Sequence, residues 1–396
     1  MKKGNLFTDV NDNDLATCVG CGLCLPLCPT YRVTGEDSFS PRGRINLIEG
    51  VKHGLLELDA SVKDSLLSCI QCRGCEPACP SGVPYGKIIE AALPELLKTS
   101  YLRRILFKSI LQPLRHPKVL RLLTRLASVL QKIHIMPKKM PLPVLKFRFI
   151  KFSNTHPLSS RFSEGRSSSK SVVLFTGCVM DSWYRDVHQA TIDLLRALSF
   201  EVEISGDAVP CCGALHEHSG FHKESSSMQH EARKKLAGRT VLVNSAGCGA
   251  SLKASLIDVA EVLDIHEFFK SQQDEIAKLL SFQDINVIIQ DPCHLRHVQK
   301  SHTEVLELLQ LCYPVFTIPD DGLCCGAGGL FSISQPKMSS AVREQKIDAI
   351  KRVAQQQHVE TNYVVASANP GCMSFLAAAG SPTTHPVTLL ADALIK

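Results

Sequence analysis

Cys18-Val-Gly-Cys21-Gly-Leu-Cys24-Leu-Pro-Leu-Cys28-Pro29 and its partner Cys69-Ile-Gln-Cys72-Arg-Gly-Cys75-Glu-Pro-Ala-Cys79-Pro80 decide how this chain is read. Each is a C-x2-C-x2-C-x3-C-P run, a spacing that holds a [4Fe–4S] cluster. A cubane takes four thiolates, one at each iron. Two residues between cysteines let three sulfurs converge from one tight turn. The fourth Cys lies past that turn and reaches the other cluster. The spacing therefore predicts one ligand set of Cys18, Cys21, Cys24 and Cys79 and a second of Cys69, Cys72, Cys75 and Cys28. The proline after each fourth Cys is expected to stop regular helix or strand there. Zinc is the rival reading of clustered cysteines, and two full runs on one spacing argue against it.

The 396 residues leave room for two or three domains, and 44% hydrophobic content is enough for ordinary globular cores. Seventeen cysteines is many for this length. Met1-Lys2-Lys3 leads into a polar stretch with no apolar h-region, so a cytoplasmic, reducing compartment is expected. There, clustered cysteines mean metal rather than disulfides. No run of eighteen apolar residues is present to span a membrane as a helix.

Residues 1–14 read as a polar tail and 15–100 as the two-cluster region. Between the runs, Ile45, Ile48, Val51, Leu55 and Leu58 recur at helical spacing, which predicts an amphipathic helix under the clusters. Arg42 and Arg44 precede it, either as surface charges or facing thiolates whose potential they would raise. Residues 101–170 form a basic helical connector and linker. Residues 101–150 carry twelve Lys or Arg and no Asp or Glu, with apolar residues at helical spacing between prolines. Such a stretch reads as a contact with a membrane surface or an acidic partner, against the plainer reading of a solvated cover over the core. No nucleic-acid motif accompanies the charge, so no nucleic-acid partner is expected. The eight serines of residues 153–171 read as a linker.

From Val172 strands alternate with helices, and one order occurs twice: strand, Cys, helix, strand, Cys-Cys-Gly, helix, strand, Gly-Cys, helix. This is an internal duplication, with halves at 171–283 and 284–396. The alternation predicts parallel α/β units with the cysteines in loops at the strand C-terminal ends. The first half supplies Cys178, Cys211, Cys212 and Cys248, and the second Cys293, Cys324, Cys325 and Cys372. Four thiols per half are candidates for a further cluster or a redox role; structural packing is the alternative. Cys312 is left over and reads as a buried small hydrophobe. The fold class is α+β overall: a mainly helical two-cluster domain, the basic connector, and a duplicated α/β cysteine-rich region.

Paired ferredoxin-type runs followed by two Cys-Cys-Gly repeats resemble a family of iron–sulfur subunits found in glycolate oxidase, anaerobic glycerol-3-phosphate dehydrogenase and heterodisulfide reductase. Cys28-Pro-Thr-Tyr31 with Pro41-Arg-Gly-Arg44, Ser245-Ala-Gly-Cys-Gly-Ala250, and Leu323-Cys-Cys-Gly-Ala327 with Ala368-Asn-Pro-Gly-Cys372 look like the glycolate oxidase subunits. His385-Pro-Val-Thr-Leu-Leu390 looks equally like the C subunit of the glycerol-3-phosphate enzyme. The resemblance implies an electron-transfer subunit of a 2-hydroxy-acid dehydrogenase, with glycolate as substrate. It also implies flavoprotein partner subunits that carry FAD, and a quinone or other acceptor. Substrate chemistry then belongs to the partner's flavin, and no catalytic residue is expected here. The chain has no Gly-x-Gly-x-x-Gly loop for a dinucleotide of its own. The implied place is the cytoplasm, free or peripheral on the inner membrane through residues 101–150. Glycerol-3-phosphate or lactate oxidation with the same wiring is the alternative, and heterodisulfide-type catalysis a second. In heterodisulfide relatives each half ends in C-x-x-C; here Ser251 and Phe375 stand at the last position.

Anaerobically purified protein should carry at least two [4Fe–4S] clusters by iron and sulfide analysis. Cys72→Ser should lose one of them, whereas Cys312→Ser should keep its full iron content. Zinc without sulfide, or equal iron loss in both variants, would show the ligand sets to be wrong.

Overall fold

The computed structural model describes residues 6–132, 158, 170–320 and 322–395. Most of the serine-rich linker lies outside the described residues, as does the basic stretch beyond Lys132 with Pro137, Pro141 and Pro143. The N-terminal region is helical: α1 (Asp12–Ala16), α2 (Pro29–Thr34), α3 (Pro41–Lys52), α4 (Ala60–Leu67) and α5 (Tyr85–Lys98). Pro29 opens α2 instead of blocking it, because a first-turn proline lacks only an N–H that has no helical partner. Ser40 caps α3, its Oγ accepting from the Gly43 N–H at 3.0 Å. Ile45, Ile48 and Val51 of α3 then pack with Ile88, Ile89, Ala92 and Leu96 of α5. α3 stops at Lys52, ahead of Gly54 in the left-handed region, so Leu55 falls outside the helix and is exposed. The polar stretch before Cys18 is tied down too, since Phe7 and Val10 are buried in the same core.

Next come α6 (Tyr101–Leu111), the 3-10 turn Gln112–Arg115 and α7 (Pro117–Lys132). Phe107, Leu111, Leu114 and Leu120 bury one side of this pair against Phe221 and Leu330. Arg121 does not face solvent freely: it pairs with Asp181 at 2.8 Å and Asp207 at 3.2 Å, which fastens α7 to the first half.

The first half runs β1 (Ser171–Phe175), α8 (Val179–Trp183), α9 (Arg185–Ala197), β2 (Glu201–Ile204), α10 (Ala214–Glu217), α11 (His222–Leu236), β3 (Thr240–Val243), α12 (Ala246–Ser255), β4 (Glu261–Asp264) and α13 (Ile265–Ser271). After α14 (Gln273–Ala277) the second half repeats the plan. It has β5 (Asn286–Ile289), a π-helical turn His294–Gln299, α15 (Thr303–Leu309), β6 (Val315–Thr317), α16 (Phe331–Ser334), α17 (Pro336–Gln356), β7 (Tyr363–Ala366), α18 (Pro370–Ala377), β8 (Thr383–Thr384) and α19 (Pro386–Asp392). Both sheets are parallel, in the orders β2-β1-β3-β4 and β6-β5-β7-β8. The duplication is thus one of topology. Helices on both faces explain why β1, β3 and β5 are nearly continuous apolar runs. The edge strand β4 has only two apolar residues between charged ones, Glu261-Val-Leu-Asp264, and β8 is only two residues long, so neither stands out as an apolar run.

The halves share a core. Leu194, Leu195 and Leu242 of the first meet Val287, Leu308, Leu309 and Leu390 of the second. α19 packs on α9 and α15 on α13. Cys312 is fully buried in this core, which holds no other cysteine, and burial pushes its thiol up to about 12. Among the described residues no helix is long and apolar enough to cross a membrane.

Leu308→Ala in the shared core should lower stability by about 2–4 kcal/mol. Ile257→Ala, at an exposed site, should stay within about 0.5 kcal/mol. Anaerobic denaturant unfolding of the two variants checks this; equal midpoints would mean that the halves do not depend on a common core.

Candidate iron–sulfur centres

The two cysteine runs fold alike, but at different cost. In the first, Gly20 and Gly22 take left-handed backbone, with φ of 69° and 83°. At the matching positions of the second run stand Gln71 and Arg73, with φ of 60° and 61°. A side chain there is strained by about 1–2 kcal/mol per residue. Both side chains are anchored. Gln71 Nε2 donates to the His218 carbonyl at 2.8 Å, and Arg73 Nη2 donates to Glu90 at 2.7 Å. Strain in the loop is thus tied to contacts with α5 and with the first half.

Three thiols of the first run line a cavity that opens to solvent. Its walls include Cys18, Cys21 and Cys24, together with Cys75 and Cys79 of the second run. Cys79 is therefore brought to the first run's three cysteines. In the other direction, Cys28, Cys69 and Cys72 are the neighbouring thiols that act on Cys75. The fold thus brings thiols of both runs together, with Cys75 of the second run also at the first cavity.

Arg44 is buried beside the second set. Its Nη1 lies 3.9 Å from Cys28 Sγ, its Nη2 donates to Thr30 Oγ1 at 2.9 Å and its Nε to the Ser65 carbonyl at 2.7 Å. Burial alone would lower its basicity, but Tyr85, Cys69 and Cys28 outweigh that and hold it above its ordinary value. Arg42 takes the other course, paired with Asp37 at 3.0 Å near the surface. Tyr85 Oη donates to Cys69 Sγ at 3.5 Å, and the Gln71 N–H reaches the same sulfur at 3.4 Å.

Each half gathers its four thiols from three segments that follow its strands. The paired cysteines lie in loops as expected, but Cys248 and Cys372 stand in the first turns of α12 and α18, because those helices begin soon after β3 and β7. In the first, Cys211 Sγ lies 3.8 Å from Cys178 Sγ, and Cys212 contacts both Cys211 and Cys248. In the second, Cys325 and Cys372 are 3.0 Å apart, and Cys324 contacts Cys293 and Cys325. The position of a fifth cysteine is filled otherwise. Ser251 Oγ donates to the Cys212 carbonyl at 3.1 Å, and the Phe375 ring is buried under Arg343.

These donor sets suit a metal body. Burial raises the Cys24, Cys72 and Cys75 thiols above their ordinary range, and neighbouring thiols raise Cys72 and Cys75 further. Hydrogen bonding to Cys211, then burial, raises Cys178; bonding to Cys324, then burial, raises Cys293. Bare thiolates so placed are unfavourable, and coordination to a cation reverses this by deprotonating the thiol. Among the described residues no three His, Cys, Asp or Glu side chains close on a point that a single ion could occupy.

The sets are also joined. Cys72 packs with Cys293 and Cys324 of the second half. A methyl group on Gly74 would lie 3.3 Å from His297 Nε2, so glycine lets the second half's π-helical turn come close to this run. Glu90 accepts from Arg73 and faces His218, whose ring lies 5.4 Å from that of His294. Burial would raise Glu90, but the His218 hydrogen bond and the Arg73 charge bring it down to about 2. Between the halves, Asn369 Nδ2 donates to Cys372 Sγ at 3.5 Å while its Oδ1 accepts from the Gly247 N–H at 3.4 Å, one residue before Cys248. Glu90, His218, Tyr85 and Asn369 were not singled out in the sequence. Aligning the two runs on each other, Gly20 on Gln71 and Gly22 on Arg73, is the signal that leads to the first two.

Residues 14–83 match the 4Fe-4S dicluster domain family, and residues 172–253 and 287–377 match the Cysteine-rich domain family. The chain is 30% identical to a probable glycolate oxidase iron–sulfur subunit of Bacillus subtilis, over 92% of this chain and 88% of the relative. It is 28% identical to the glycolate oxidase iron–sulfur subunit of Escherichia coli, over 97% and 95%. It is 26% identical to one chain of the dihydromethanophenazine:CoB–CoM heterodisulfide reductase of Methanosarcina acetivorans, over 92% and 89%.

Arg44→Met should destabilise the N-terminal region by about 2–4 kcal/mol, since Thr30 and Ser65 lose a charged donor in a buried place. It should also lower the midpoint potential of the second cluster, because a positive charge that favours the reduced form is gone. EPR-monitored titration against Arg42→Met checks this. An unchanged or raised potential in Arg44→Met alone would remove the guanidinium from the account.

Proposed function

The chain belongs to the family of glycolate oxidase iron–sulfur subunits, and we propose from that premise that it carries electrons from the flavin of a glycolate-oxidising partner to a quinone or another acceptor. Its coarser role is that of an iron–sulfur electron-transfer subunit in a redox complex. One observation supports transfer over a purely structural use of metal: Cys72 of the second run is packed against Cys293 and Cys324. Metals kept only as folding staples would not need adjoining ligand sets.

We assign Cys18, Cys21, Cys24 and Cys79 to one cluster and Cys69, Cys72, Cys75 and Cys28 to the other. Cys178, Cys211, Cys212 and Cys248, and Cys293, Cys324, Cys325 and Cys372, are candidate sets for further clusters. FAD belongs on partner subunits. When bound, the clusters supply one-electron transfer, so that a two-electron flavin donor is drained in single steps. The chain's own residues set the terms. Arg44 and Tyr85 stand as donors toward Cys28 and Cys69, which favours the more negative, reduced state. Burial of the inner thiols keeps water from the irons. The chain works on the cytoplasmic side, in solution or peripheral on the inner membrane.

The stretch His385–Leu390 keeps glycerol-3-phosphate oxidation as the second reading. Heterodisulfide-type catalysis is disfavoured, because Ser251 and Phe375 occupy the places of the fifth thiols. The test is anaerobic co-purification with the flavoprotein, followed by glycolate, lactate or glycerol 3-phosphate. Glycolate should reduce the clusters fastest. Reduction by glycerol 3-phosphate alone would reassign the donor, and reduction by dithionite but by none of the three would overturn the reading.

A further inference from the structure

α6 and α7 are apolar on two sides. Their inner side is buried against the first half through Phe107, Leu111, Leu114 and Leu120. On the side turned away from that core, α6 exposes Tyr101, Leu102, Ile105 and Leu106. α7 exposes Val119, Leu122, Leu123, Leu126 and Val129, which fall within one helical stripe. Nine of the seventeen large apolar side chains exposed among the described residues are therefore on these two helices. Exposed apolar residues concentrated in this way on two neighbouring helices mark an interaction site.

The charge around the stripes names the partner. Arg104, Lys108, Lys118 and Arg125 are exposed on the same helices, and residues 101–132 contain no Asp or Glu. Apolar stripes flanked by cations, with no anion among them, are the pattern of helices that lie in the interface of an anionic bilayer. Tyr101, an amphipathic ring at the start of α6, suits the headgroup level. We propose that α6 and α7 rest in the plane of an anionic lipid surface and hold the chain there peripherally. This takes the membrane-bound branch of the functional reading and makes it specific to two helices. It also gives the molecule an orientation. Cys178 and Cys211 share the buried cluster under α6 and α7, so these two thiols lie beneath the docked face.

The test is flotation of the full chain, purified anaerobically with its clusters, with vesicles of phosphatidylglycerol and phosphatidylcholine or of phosphatidylcholine alone. Three proteins are compared: wild type, Leu102→Asp/Leu122→Asp/Leu126→Asp, and Arg104→Glu/Lys108→Glu/Lys118→Glu/Arg125→Glu. All changed residues are exposed, and unaltered iron content and cluster spectrum verify the fold. Wild type should float with the anionic vesicles, and less so as salt rises. The charge-reversed protein should bind more than about a hundredfold more weakly. The apolar variant should bind at least about tenfold more weakly at every salt concentration. Wild type that never floats, or variants that float as well as wild type, would overturn the proposal. So would variants that keep vesicle binding but lose the flavoprotein, since the face would then belong to a protein partner. Flotation needs no substrate, so its failure leaves glycolate-driven cluster reduction standing, and the converse holds.

Discussion

A thiolate buried beside other thiolates is poorly solvated and is repelled by its neighbours. This protein places thiols in that situation repeatedly, in the two runs and again in each half. The chain can meet the condition by keeping the thiols protonated, as at Cys312, or with a cationic body among the sulfurs, and the spacing and local backbone of the two runs suit the second. Gly20 and Gly22 turn the first run through left-handed conformations that cost glycine little. Gln71 and Arg73 make the same turns with side chains attached, and their strain is offset by contacts reaching His218 and Glu90. The second run therefore depends on the rest of the molecule in a way that the first does not.

That dependence shapes the architecture. Arg73 and Glu90 bind the second run to α5, and Glu90 and Gln71 bind it to His218 of the first half. Cys72 meets Cys293 and Cys324 of the second half. The shared core of Leu194, Leu195, Leu308 and Leu309 then fixes the halves against each other. Asn369 spans the short gap between their cysteine loops, bonded to a thiol of one and to the backbone of the other. An amide with a partner at each end resists rotation, so it couples the two segments.

The sequence made the cysteine chemistry and the duplication readable, because both are matters of spacing. C-x2-C-x2-C-x3-C-P names its thiols without reference to anything distant, and apolar runs such as Val172–Phe175 mark buried parallel strands by themselves. Contacts between distant residues were not readable. Whether Arg44 faced a thiol or water turned on Thr30 and Ser65, which only the fold brings to it. Arg121 looked like one cation in a basic run until Asp181 and Asp207 met it from the first half. α3 was expected to reach about Leu58, but Gly54 in the left-handed region ends it early, and apolar periodicity carries no mark of that stop. Phe7 and Val10 were hidden by their polar neighbours for the same reason: burial of two side chains does not need an apolar stretch.

Duplication produced two halves of one topology, yet they do not have equivalent surroundings. Cys293 and Cys324 of the second half pack with Cys72, and Cys293 leads into the π-helical turn. Cys178 and Cys211 of the first half face Phe107, Leu111 and Leu114, an apolar cover with no cysteine of either run in it. Cys293 and Cys324 thus adjoin the second cysteine run, while Cys178 and Cys211 lie under the two basic helices and Cys248 stays close to the second half through Asn369. The asymmetry comes from what packs on each half, since the sheets have the same strand order. Two copies of a fold can therefore hold different places in one molecule without differing in fold, and the difference here is written in α6, α7 and the second cysteine run.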